Sequence, residues 1–354
     1  MLDATVREIT AAYFGKSETS KWAQLGKGNI NDTFRLEVKG KAYLLQRINT
    51  DIFQDPHGLM ENYVRIHQHL QGQNLQLRLP APLPCLTGKL IYTDRQNATW
   101  RLVAFLENSH AVEHASSLQQ VLEASSVIGS FLKGLNSGTP PELTSTIPDF
   151  HHYLLRLRQF KNALQSDPLG RAKKLARETD YLLEKAAFFD TVAKWALKQR
   201  LVHNDPKIGN VLFNSENQAI ALIDWDTVMP GILLNDFGDM VRTMASTALE
   251  DQEDLEQVGL NPKFLEGICQ AFLPPLAPLL SETEKACLAF GPYCLILEQA
   301  LRFLTDYILG DPYYKITSPQ QNLLRARNQI KLHQEVIKVE DKIKAWVDRY
   351  TQIS

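Results

Sequence analysis

Apolar and polar residues alternate with a spacing of two over residues 32–38, 43–48, 89–92 and 100–106, whereas residues 58–70 place their apolar positions three and four apart. The first spacing puts alternate side chains on one face of a strand, and the second builds one face of a helix. Up to about residue 108 the chain therefore reads as a small antiparallel sheet with one helix. Beyond residue 109 the helical spacing dominates, over 118–135, 150–164, 175–197, 264–272, 285–309 and 320–350, with one short β insertion at about 201–225. The pattern predicts an α+β fold of two lobes, a β-rich one at 1–108 and a helical one at 109–354. Residues 103–109 form the hinge, and ligands favour such junctions.

The turn Val38-Lys39-Gly40-Lys41 fixes the register of the first hairpin, because a two-residue connection with Gly in second place suits a tight β-turn. Counting outward pairs Leu36 with Tyr43, Phe34 with Leu45 and Asp32 with Arg47. The open end then joins Arg47 to the loop Gly26-Lys27-Gly28-Asn29-Ile30-Asn31, where glycine lets backbone approach a phosphate closely and Asn29 and Asn31 can hydrogen-bond beside it. The loop lacks both the full Rossmann glycine pattern and the P-loop pattern, which disfavours those two nucleotide folds.

Composition narrows the partners. With 38 basic and 40 acidic residues and no basic cluster, nothing marks the chain for nucleic acid or an anionic membrane, so small molecules are the expected ligands. Residues 1–10 carry Asp3, Arg7 and Glu8 where a signal peptide needs an apolar stretch, and the longest uncharged apolar run, 286–297, is too short to span a bilayer. The four cysteines form no CxxC and read as buried thiols, so a reduced cytoplasmic setting is expected. Oligomeric state leaves no signature.

The densest chemistry lies in His203-Asn204-Asp205-Pro206-Lys207-Ile208-Gly209-Asn210 and, after an apolar strand and a polar turn, in a second apolar strand ending at Asp224-Trp225-Asp226. If the strands pair antiparallel, Asn210 and Asp224 share the open end beside Asp205. Asn and Asp oxygens suit Mg²⁺, which binds through one or two carboxylates with water and substrate phosphates. A separate aspartate can orient an incoming hydroxyl or accept its proton. Taken singly, Asp224 and Asp226 are turn residues and His203 a core histidine. Jointly, the spacing HxDxxxxN, strand, turn, strand, Asp matches the catalytic and metal loops of kinase-like enzymes. Asn204 stands where protein kinases carry Arg, and the second loop reads Asp-Trp-Asp where they carry D-F-G.

This combination resembles the aminoglycoside phosphotransferase and choline kinase superfamily of small-molecule kinases. The strings GKGNINDTF, YLLQRIN, LMEN, HNDPKIGNVLF, IDWDTVMPG, NDFGDMVRT and LRFLTDYILGDPYYK are similar to the N-acetylhexosamine 1-kinase branch over about residues 25–330. The resemblance implies a protein-kinase-like two-lobed fold and transfer of the ATP γ-phosphate to the anomeric hydroxyl of an N-acetylhexosamine. Asp205 would be the base, and Asn210 and Asp224 would hold Mg²⁺. The loop residues Gly26, Gly28, Asn29, Asn31 and Thr33 would flank the nucleotide, and the hinge at Phe105, Leu106 and Glu107 would meet adenine. Arg47 would take the place of the third-strand lysine, with Glu61 as its partner, although Gln46 occupies the opposite face of that strand. His203, Lys207, Asp236 and Asp239 would support the catalytic loop, and Arg302 and Tyr313 would contact the sugar, the arginine through its N–H groups and the ring through an apolar pyranose face.

Two rivals remain at this stage. One keeps the chemistry and changes the acceptor to an amino alcohol or aminoglycoside, for which a cation-binding cage would be needed. The other is a pseudokinase that binds nucleotide without transferring phosphate.

Overall fold

The computed structural model describes residues 2–25, 30–73 and 75–352. The N-terminal lobe runs α1 (Leu2–Phe14), β1 (Ser20–Gln24), β2 (Asp32–Val38), β3 (Lys41–Ile48), α2 (Pro56–Gln71), β4 (Pro82–Leu83), β5 (Ile91–Thr93) and β6 (Thr99–Ala104). Its sheet has the order β1-β2-β3-β6-β4, with β5 also paired to β6, and all pairings are antiparallel. Lys39 and Gly40 have φ of 53° and 72°, the doubly positive turn that matches strand twist, and Asp32 pairs with Arg47 as the turn requires. α1 was not expected from the sequence. Val6, Ile9 and Tyr13, three and four apart, lie in a small core with Phe34, Leu36, Leu45, Trp100 and Leu102 on one face of the sheet.

The chain leaves this sheet after Ala104 and enters a second one at β7 (His110–Ala111), which pairs with β9. There follow α3 (Leu118–Leu135), α4 (Tyr153–Ser166), α5 (Ala176–Ala186), α6 (Phe189–Lys194), β8 (Arg200–Val202), β9 (Val211–Phe213), β10 (Ala219–Leu222), β11 (Met229–Gly231), α7 (Leu233–Met240), α8 (Pro262–Leu276), α9 (Glu282–Leu288), α10 (Gly291–Leu309), α11 (Gln321–Lys338) and α12 (Glu340–Thr351). β9 and β10 form the expected hairpin, with Val211 opposite Leu222, and β8 pairs with β11. The architecture is kinase-like: an antiparallel N-lobe sheet and a helical C-lobe.

Three long helices expected from periodicity are broken, the first of them, 175–197, into α5 and α6 between Ala186 and Phe189. Residues 285–309 divide before Gly291-Pro292, since proline is tolerated in a first turn and not inside a helix, and 320–350 divide at Val339. Among the described residues no single helix is long and apolar enough to cross a membrane. Only α9 and α10 taken together are long and apolar enough, and they are bent by 58°. α7 crosses the start of α10 at backbone contact: a Cβ on Gly238 would lie 2.4 Å from Gly291 O, and one on Gly291 2.5 Å from Leu234 O.

Candidate active site

The loop between β8 and β9 carries His203 to Asn210, and α7 holds it from below. Buried Asp236 accepts the backbone N–H groups of His203 and Asn204 at 2.7 and 2.8 Å. Burial pushes the Asp236 carboxyl up to about 7 even though both N–H bonds favour its charge. Asn204 sits at φ 64°, and its side-chain amide donates to Thr227 O at 2.9 Å while Thr227 Oγ1 donates to His203 O at 2.8 Å. The catalytic and metal loops are thereby tied together. His203 is fully buried; its Nε2 lies 3.0 Å from Ile223 O and its Nδ1 has no partner.

Asp205, Asn210 and Asp224 converge at the open end of the β9–β10 hairpin. Asn210 Nδ2 donates to the Asp205 carbonyl (2.8 Å) and carboxylate (3.1 Å), and Lys207 Nζ lies 2.6 Å from Asp205 Oδ2. Burial alone would raise the Asp205 carboxyl, but Lys207, His203 and Asn210 outweigh it and hold it below the ordinary aspartate range. Burial likewise opposes the Lys207 charge, and Asp205 with Asp224 more than offsets this. Asp224 is exposed at the cleft and left-handed (φ 64°, ψ 59°), a conformation that re-aims a side chain at some backbone cost. Its carboxyl rises to about 6 through desolvation and the neighbouring charges of Asp226 and Asp205. Among the described residues no three His, Cys, Asp or Glu side chains form a metal cage. The donor set fits Mg²⁺ nonetheless: Asn210 spends its amide N–H on Asp205, which leaves its carbonyl oxygen as a hard ligand beside the crowded Asp224 carboxylate.

On the nucleotide side the structure redistributes the expected roles. Gly26, Gly28 and Asn29 lie outside the described residues. Arg47 stands exposed on the α1 side of the sheet, paired with Asp32, where it lines a pocket of about 300 Å³ with Ile30, Asn49 and Lys315 of the helical lobe. Alternation puts Gln46 on the cleft side instead, where it donates to Thr33 Oγ1 (3.2 Å) and accepts from Arg101 Nε (2.9 Å). Glu61 is also displaced from its expected partnership, because α2 turns Met60 and Tyr63 inward and leaves Glu61 exposed, 3.7 Å from Arg65. Asn31 has both ends of its amide committed within the protein, to Asp226 (2.7 Å) and to the N–H of Asn49 (2.9 Å). At the hinge, the Arg35 guanidinium lies over the Phe105 ring, Glu107 O accepts from Arg78 at 2.8 Å, and Leu106 O accepts from Ser109.

Sequence reasoning missed Arg101 and Asp226. Arg101, 1% exposed on β6, forms a bidentate pair with Asp226 at 2.6 and 2.8 Å. Its signal was a lone charge inside the apolar run 99–106.

The residues expected on the acceptor side lie in a cluster of buried charge in the helical lobe. His151 Nδ1 lies 2.7 Å from Glu298 Oε2 and its Nε2 3.2 Å from Asn204 O, so an acceptor stands at each ring nitrogen. Burial pushes Glu298 up, but His151, Arg302 and Arg156 outweigh it and keep it below the usual glutamate range. Arg302 lies over three rings, Phe150 at 5.3 Å, Tyr314 at 5.7 Å and the half-exposed Tyr313 at 5.8 Å. Asp239 Oδ1 accepts from Arg242 at 2.8 Å. Asp239 Oδ2 and Tyr314 OH are buried with no hydrogen-bond partner, and Glu298 Oε1 and Arg156 Nε meet only as an ion pair at 3.6 Å. His151, Arg156 and Phe150 were not anticipated, since they precede or open α4, far in sequence from α10.

With this geometry in place, the chain matches the model of the phosphotransferase enzyme family over residues 21–278. Solved structures share the fold at low identity. A microcompartment-associated aminopropanol kinase is 16% identical with a TM-score of 0.66, covering 96% of this chain and 98% of its own. Spectinomycin phosphotransferase in complex with ADP and spectinomycin is 12% identical, TM-score 0.61, with the same coverage. The choline kinase LicA from Streptococcus pneumoniae is 12% identical, TM-score 0.54, covering 96% and 99%. More than half of the chain lies within one family model, as its catalytic loop led one to expect: it belongs to the phosphotransferase enzyme family.

Proposed function

We propose that this protein is an ATP- and Mg²⁺-dependent kinase that phosphorylates a sugar hydroxyl, the anomeric hydroxyl of an N-acetylhexosamine, in the reduced cytoplasm where its four free cysteines persist. Asp205, held ionised by Lys207, orients the acceptor hydroxyl and takes its proton late, as a loose phosphoryl-transfer transition state allows. Asn210 and Asp224 would hold Mg²⁺, whose charge, when bound, offsets that of the phosphates. Asp236 keeps the loop backbone in place throughout.

The observation that carries the acceptor class is the seat of Arg302. A trimethylammonium or primary ammonium acceptor would need an aromatic enclosure, and here a resident guanidinium fills it. What remains is a donor group and unpartnered polar atoms, which suits a neutral polyhydroxylated ligand. One feature favours the second reading, an amino-alcohol acceptor: the unpartnered Asp239 oxygen would take an ammonium.

ADP release measured with N-acetylglucosamine, N-acetylgalactosamine, choline and 1-amino-2-propanol separates the two, and product analysis at C1 locates the phosphate. The expected result is turnover on an N-acetylhexosamine with phosphate at C1. Turnover on the amines alone supports the second reading, and nucleotide binding without any turnover supports a pseudokinase. Asp205→Asn should lower kcat by about 10³-fold with an unchanged melting temperature.

A further inference from the structure

One buried carboxylate joins the two lobes. Asp226 takes the Arg101 fork from β6 and, on Oδ2, the amide of Asn31 immediately before β2. Each guanidinium nitrogen of Arg101 is used, since Nε donates to Gln46, and the cation also lies 5.7 Å over the Tyr63 ring of α2. Asn31 in turn accepts the Asn49 N–H, which fixes the far end of β3. Behind Asp226 the chain is bound to the catalytic loop through Thr227, and Thr146 Oγ1 donates to Asp226 O at 2.7 Å. Two residues ahead stands Asp224.

Desolvation offsets most of the attraction in a buried ion pair, so such a pair says little for stability by its presence. What a bidentate fork supplies is orientation, since its two parallel bonds admit a single approach. The cleft face of β3 offers neutral Gln46 where a cation was expected, and the positive charge sits one strand over, its two terminal nitrogens on Asp226 and its Nε on Gln46.

We propose that Arg101 and Asp226 form an interlobe clamp that holds Asn31, and with it the start of β2, in register with Asp224, which makes Arg101 a positioning residue for the nucleotide phosphates. This rests on the nucleotide-dependent reading above and is independent of the acceptor.

Calorimetric binding of MgADP and of adenosine to the full chain tests it, with melting temperatures measured in parallel for Asp226→Asn, Arg101→Lys and Asn31→Ala. The expected result is MgADP affinity weakened about tenfold in the first two variants and about threefold in the third, with adenosine affinity within about twofold of wild type throughout. Asp226→Asn combined with Asn31→Ala should be no weaker than Asp226→Asn alone, because both changes cut the same tie. Equal losses for the two ligands, or unchanged MgADP affinity in folded variants, overturn the clamp. Should Asp226→Asn fail to fold, Asn31→Ala, which deletes a single amide, decides by the same split. A wild-type chain that binds neither ligand overturns the nucleotide reading and the clamp with it.

Discussion

Two buried charge networks flank the catalytic loop, and they differ in how completely they are satisfied. Around Arg101, every nitrogen of the cation and both ends of the Asn31 amide have partners inside the protein. Around Arg302, the cation rests on aromatic faces, Arg156 Nε and Glu298 Oε1 meet only as an ion pair at 3.6 Å, and Asp239 Oδ2 and Tyr314 OH have no hydrogen-bond partner. An unpaired buried polar atom costs about 1–3 kcal/mol, so the network around Arg302 is the less completely satisfied of the two. A saturated network serves to hold geometry. The network around Arg101 is therefore built to be rigid, while the one around Arg302 keeps polar atoms free for a further contact.

The largest effect that breaks this contrast comes from Arg101→Met. It strands Asp226 without its cation and should destabilise the fold by about 3–5 kcal/mol in urea unfolding. A loss under about 1 kcal/mol would mean the saturated network does not hold the lobes.

Asp236 sharpens the comparison, because it is satisfied by N–H groups with no cation in contact. Its folded value of about 7 lies above the unfolded value near 4, so the stability it contributes is present below about pH 4 and is lost as pH rises through about 7. Unfolding free energy should fall by roughly 2 kcal/mol from pH 5 to pH 8 on this account, and Asp236→Asn should flatten that slope in a urea series across pH.

Next in size, Arg302→Met keeps the length and apolar stem while removing the donor group. The acceptor KM should rise about tenfold, with nucleotide KM and melting temperature little changed. A fall in stability instead would place Arg302 with the structural network. The smallest effect is expected at Arg47→Ala, whose pair with Asp32 is exposed on the α1 side of the sheet: stability should change by less than about 1 kcal/mol and nucleotide KM by less than about twofold.

Local features were legible and remote ones were not. The β2–β3 register followed from Lys39-Gly40 alone, and the meeting of Asp205, Asn210 and Asp224 followed from one hairpin, because each is decided within a few residues. Which of Gln46 and Arg47 faces the cleft depends on where α1 packs, and α1 itself went unread although Val6, Ile9 and Tyr13 carry a helical spacing. Arg101 required knowing that β6 pairs with β3 across some fifty residues of intervening chain, which no local pattern encodes. Similarly, nothing local to α10 shows that His151 and Arg156, from the start of α4 and the residues before it, pack against Glu298.

The crossing of α7 over α10 has a consequence for how new specificities can arise. Gly238 and Gly291 leave no room for a side chain between the helices, and the same α7 presents Asp236 to the catalytic loop. The beginning of α10 is thus welded to the machinery and cannot drift. If the acceptor lies where we propose, variation that retunes its choice has to enter beyond Glu298, where α10 runs on through Arg302 to the segment holding Tyr313 and Tyr314, so evolution or engineering has one helical half-length on which to experiment while the start of α10 stays put.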